Sequence, residues 1–181
     1  MLTETALWKT ELSSLKTNLL SVSIADDESV LFSLERSLYY SALVVRKLLE
    51  NRRLTDKLAM HELSVSVFRA RPENVSEVIR TATRYFEIGK DFDENPENKI
   101  RLKLSKICSE IIHSFALIWA LDESGSIDSV IVSSHINQND RAILLSLSDW
   151  ETILQSIVDD EVLEVDVRRD SKTGKVVRRN L

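Results

Sequence analysis

The sequence predicts an α+β protein: a long helical hairpin and a central helix, packed with a small antiparallel β-meander and a C-terminal helix. Three observations carry that expectation. Apolar side chains recur at helical spacing through the first fifty residues. From 115 to 147 the chain breaks into three short apolar runs separated by turn residues. Ser148-Asp149-Trp150-Glu151 then opens a last amphipathic stretch. The expected organisation is one domain over 1–181. It comprises a helical hairpin (1–60), a mixed connection (61–104), a central helix with meander and capped helix (105–161), and a basic hairpin or tail (162–181).

Residues 2–22 read as a helix, because Trp8, Leu12, Leu15, Leu19 and Val22 step by four, three, four and three. Such a narrow seam packs lengthwise along another helix, within the chain or in a homodimer. Asp26 and Asp27 suit the N-terminus of the next helix, 28 to about 52. Its stripe is Leu31, Leu34, Leu38, Ala42, Val45 and Leu49, and Phe32, Tyr39 and Leu43 widen the apolar face. Glu35 and Arg46 fall inside that widened face. Charges there need polar company, so the pair marks either an internal polar network or a lined pocket. Arg52 and Arg53 suit the negative end of the helix dipole.

Thr55 to Met60 reads as a turn or one helical turn. Leu63, Val65 and Val67 alternate as a strand through Arg69, which Pro72 ends. Residues 73–89 are either helical or irregular with a strand near 85–88. Asp91 to Glu97 reads as an acidic surface loop. Ile100, Leu102 and Leu104 form an extended approach, and Ser105 is placed as N-cap of the central helix. On that helix Leu104, Ile107, Cys108, Ile111, Ile112 and Phe115 share one face, with Lys106, Ser109, Glu110 and His113 opposite. Phe115–Leu121, Ile127–Ser134 and Ala142–Leu147 are the meander strands. Ser148 with Glu151 reads as a capping box. Val162 to Arg169 alternates again before a turn into 175–178.

The formal charge is −5, unevenly spread. Arg168, Arg169, Lys172, Lys175, Arg178 and Arg179 face one acid, Asp170, so the tail carries +5 and the preceding body −10. The tail is a candidate binding element for an acidic protein partner, RNA or another copy of the chain. A single cysteine excludes an internal disulfide and suggests a reducing, cytoplasmic setting. Glu4, Trp8, Lys9 and Glu11 interrupt any signal-peptide core, and no apolar run is long enough to span a membrane. Three glycines exclude a Gly-rich phosphate loop. His61, His113 and His135 have no metal-ligand spacing, so no metal or cofactor is expected. Ser114 adjoins His113, but neighbours on a helix point about 100° apart and make no nucleophile–base pair.

His113, with Lys106 and Glu110, is the candidate catalytic group, and Glu35 and Arg46 are candidate binding residues. An apolar helix ending near a histidine resembles HEPN-domain proteins, which pair an Arg with a His four to six residues later. That resemblance implies metal-independent cleavage of RNA by its own 2′-hydroxyl, at a dimer interface. Here Cys108 and Ile107 occupy the shorter spacings and only Lys106, at the longest, is a cation. Arg46 could supply the guanidinium from the long helix. Arg46-Lys47-Leu48-Leu49-Glu50 with Ile111-Ile112-His113-Ser114-Phe115 and the meander also resembles a group of small bacterial proteins, with which no activity comes. The expected role is binding, with RNA cleavage as the alternative.

Overall fold

A computed structural model describes residues 2–20, 28–71, 86–97, 99–169, 173–174 and 176–181. Helices α1 (Leu2–Leu20) and α2 (Glu28–Glu50) form the expected hairpin, and α3 (Asp56–Ala59) is the single turn, capped by the Thr55 hydroxyl. Strands β1 (Glu62–Arg69) and β2 (Lys99–Lys103) precede the central helix α4 (Leu104–Ile112). The meander is β3 (Ser114–Leu121), β4 (Ile127–Ser134) and β5 (Arg141–Ser146). Helix α5 (Leu147–Asp159) and the ribbon β6 (Val165–Arg169) and β7 (Val176–Asn180) complete the chain.

Five strands make one antiparallel sheet in the order β2-β1-β5-β4-β3. Helix α4 therefore joins the two edge strands and must cross the sheet. Its apolar stripe (Leu104, Ile107, Cys108, Ile111) is fully buried in doing so. The main core unites α1, α2, α4 and α5 with one sheet face. Lys9 donates to the Asp160 carbonyl and Lys16 to Gln155 at 2.6 Å, so α1 lies antiparallel to α5. Trp150 is wholly buried, and its indole N–H donates to Ser41 Oγ at 3.0 Å, which itself donates to the Leu38 carbonyl at 2.8 Å. That relay satisfies the one polar atom the indole brings into the core.

A second cluster, including Phe68, Phe86, Phe92, Ala116 and Ile131, covers the opposite sheet face. With both faces covered, β4 is buried at every position but Asp128. This changes the reading of 91–97. Phe92 and Asp91 are buried against the sheet, Asp93 pairs with Arg71, and only 94–97 are exposed. One aromatic among acids was enough to anchor the loop.

Several expected boundaries move. Helix α4 starts after Lys103 with no side-chain cap, so Ser105 does not serve as one. It ends at Ile112, and Phe115 sits on β3, where its ring meets Phe86 in the second cluster. The cap of α5 is Ser146 rather than Ser148; its Oγ accepts from Asp149 N at 3.5 Å. On α2, Phe32 and Leu43 do not widen the buried face. They are exposed on the opposite side, and Glu35 is exposed too. The expectations for Val22, Asp26, Asp27 and Pro72, and for most of 73–89, lie outside the described residues.

Helix α2 ends at Glu50 in a two-bond cap: Arg53 N–H donates to the Leu48 carbonyl at 2.9 Å and Arg52 N–H to Leu49 at 3.0 Å. That geometry needs a left-handed residue, usually glycine. Here it is Arg52, with φ 50°, at a cost of about 1–2 kcal/mol. The ribbon locks onto this end. Asn180 is buried and its amide donates to the Arg52 and Leu54 carbonyls at 2.8 and 2.9 Å. Among the described residues, no helix is long and apolar enough to cross a membrane.

Candidate functional site

The C-terminal end of α4 meets the second half of α2. His113 closes α4: its N–H donates to the Ser109 carbonyl at 3.0 Å, and its own carbonyl accepts from His135 N at 2.9 Å. Held from both sides, the exposed ring places Nε2 3.3 Å from Arg46 Nη1. A guanidinium can only donate, so this contact needs a lone pair on Nε2 and the proton on Nδ1. Arg46 Nε reaches Glu50 at 2.7 Å one turn on. Beside them the Tyr39 and Ser114 hydroxyls are bonded to each other. The group is thus an imidazole, a guanidinium, a carboxylate and a half-buried hydroxyl pair, an arrangement suited to gripping an anion and accepting a proton.

Glu110 parts from His113. It is 6% exposed and faces the β4–β5 connection. Its carboxylate accepts from Ser134 N at 3.2 Å and from the Asn137 amide, with Arg141 at 3.9 Å. Glu110 is a strut for that loop. Lys106 is exposed, and among the described residues it has no hydrogen bond or ion pair to His113 or Glu110. Glu35 is likewise exposed without a partner among the described residues. Cys108 lies beneath the site, and burial pushes its thiol up to about 12, with the Arg46 guanidinium acting in the other direction. It is therefore a core side chain with no thiolate to offer.

The candidate tail residues sit elsewhere, on the β6–β7 ribbon. Arg168 pairs with Asp166 at 2.8 Å, Arg169 donates to the Gly174 carbonyl at 3.1 Å, and Arg178 donates to Asn180 Oδ1 at 3.1 Å. Arg179 is exposed, and Lys172 and Lys175 lie outside the described residues. No described hydrogen bond joins the ribbon to His113.

Sequence reasoning did not assign Glu50, Tyr39 and Ser114 to the site. The Arg46–Glu50 spacing of four was a readable signal for the first. The other two depend on where α4 stops. Among the described residues no group of three histidine, cysteine or acidic side chains could hold a metal ion.

Comparison of the chain with family models, with curated proteins and with solved structures finds no match.

Proposed function

We propose that the protein acts by binding, in the cytosol, and that its partner across α2 is a second copy of the chain. One observation carries this reading: the outer face of α2 bears a knob and a hole. Phe32 is 67% exposed, and Leu43, three turns on and within about 20° of it around the helix, is 47% exposed. Beside Leu43 lies a hollow of about 480 Å³ lined by Trp8, Tyr40, Leu43, Val44 and Lys47, with Arg46 and Glu50 at its end. A two-fold, antiparallel pairing seats each Phe32 in the partner's hollow, the self-complementarity that a closed dimer requires. The same pairing sets Glu28 of one helix beside Lys47 of the other. Sedimentation velocity is the test: the native protein runs as a two-chain species and Phe32→Glu as one chain. A native protein that stays a single chain at high concentration removes the proposal.

A second reading, cleavage of RNA without a metal, is favoured by the Arg46–His113 contact. In it, His113 Nε2 takes the proton of an RNA 2′-hydroxyl as that oxygen attacks phosphorus. Arg46 leaves Nε2 to hold the phosphate, which frees the lone pair for that proton, and the departing 5′-oxygen takes a proton from water. Incubation with RNA in chelator, beside His113→Ala, decides it. Cleavage lost in the variant supports the reading, and no cleavage at high protein concentration removes it.

A further inference from the structure

At the far end of the hairpin, below the ribbon, two open cavities adjoin and share Arg52 and Arg178. One, of about 440 Å³, is walled by Leu49, Leu54, Ala59, Met60 and Val176. The other, of about 400 Å³, is walled by Ala6, Val162, Leu163 and Val165, with Lys9 and Arg53 on its rim. Each has an aliphatic wall, and the cations stand at the divide.

Two of these cations, Arg52 and Arg53, are not occupied by the fold among the described residues. The carbonyls at the end of α2 are already satisfied: Leu48 and Leu49 by the two-bond cap, Arg52 and Leu54 by Asn180. Among the described residues the Arg52 and Arg53 guanidiniums have no hydrogen bond or ion pair. Three carboxylates line the two cavities: Asp56, Glu161 and Asp160, the last held by Thr55 N and Oγ1 at 2.9 and 2.7 Å. Arg178 spends Nε on Asn180. Lys9 is engaged by the Asp160 carbonyl. Lys9, Arg52, Arg53 and Arg178 against these three carboxylates leave the groove a net charge of +1 on a chain of net −5. Arg52 also sits where the backbone calls for glycine, with φ 50°. An arginine kept at such a position is a local rule broken, the kind that gathers at working sites.

We propose that this divided groove binds a single strand of nucleic acid. One phosphate lies on the Arg52–Arg178 divide and the flanking nucleosides lie in the two aliphatic lobes. Two apolar lobes about a cationic divide suit nucleosides flanking a phosphate, and Arg169, on the same ribbon face as Arg178, extends the cationic edge. The lobes are lined without aromatic rings, so bases are held by shape and apolar contact, with little preference among sequences. The site is separate from Arg46 and His113.

The test uses fluorescence anisotropy of a labelled oligothymidylate of about ten nucleotides, a DNA probe that a 2′-hydroxyl mechanism cannot cleave. Binding weakens with salt. Arg52→Gly lowers affinity about tenfold and the salt slope by about one, while the thermal midpoint holds or rises because glycine accepts the left-handed backbone. Arg53→Gln weakens binding in the same direction without a change in midpoint. The proposal is overturned if Arg52→Gly binds normally, if its midpoint falls, or if thymidine monophosphate or inorganic phosphate competes as well as the oligomer. The last result would mark a small-anion site only.

Discussion

The two faces of α2 are both apolar, yet they meet different fates. The inner face (Leu34, Leu38, Ala42, Val45, Leu48) is buried against α1, α4 and α5. The outer face keeps Phe32, Tyr40 and Leu43 in water, Tyr40 at 53% exposure. A single helix wheel merges these into one wide stripe. Packing separates them, because one chain supplies enough apolar surface to cover only one side of a 23-residue helix. The inner face holds the monomer together, and the outer face is the surface we propose for a second copy.

The largest expected effect is on the inner face. Leu38→Ala empties a fully enclosed position, and urea denaturation should show a loss of about 2–5 kcal/mol. Next comes Glu110→Ala, which strands the Ser134 N–H, the Asn137 amide and Arg141, a loss of about 2–4 kcal/mol. His113→Ala, at an exposed ring, should stay within about 0.5 kcal/mol. Equal losses for the two would break the assignment of Glu110 as strut and His113 as site.

Cys108 tests the inner face by pH. Burial lifts its folded value to about 12, above the 9.0 of a free thiol. The thiol's contribution is thus complete below 9.0 and is lost as pH rises towards about 12. Chemical denaturation across that window should show a steeper fall for the native protein than for Cys108→Ala. Parallel curves would mean that Cys108 is less enclosed than described. Smallest of all, Phe32→Ala and Leu43→Ala should leave the stability of the dilute single chain within about 0.5 kcal/mol, while weakening self-association about tenfold each. A loss comparable to Leu38→Ala would show that the outer face also belongs to the monomer core.

Much of this fold is legible in the sequence because periodicity reports burial directly. Leu12, Leu15 and Leu19, the alternation of β1, and the three meander runs all appear where the pattern puts them. What the pattern does not encode is where an element stops. The pattern leaves the end of α4 open, since Phe115 fits both its stripe and the next strand; the stop at Ile112 sends Phe115 to the other sheet face, parts Glu110 from His113 and brings Ser114 to Tyr39. The site was half legible for the same reason. Arg46 and His113 were individually conspicuous, but their contact depends on a helix crossing that no local signal specifies. Asn180 was invisible, since its role is to satisfy carbonyls 126 and 128 residues away.

The pairing of two α2 helices can be measured by cysteine cross-linking, since the native thiol of Cys108 is buried. Arg36→Cys and Tyr40→Cys chains, mixed and oxidised, should form chiefly the mixed disulfide, because antiparallel helices set residue 36 of one against residue 40 of the other. Dominant self-linked products, as parallel helices would give, or an absence of cross-linking at high concentration, would contradict the outer face as a site of self-association.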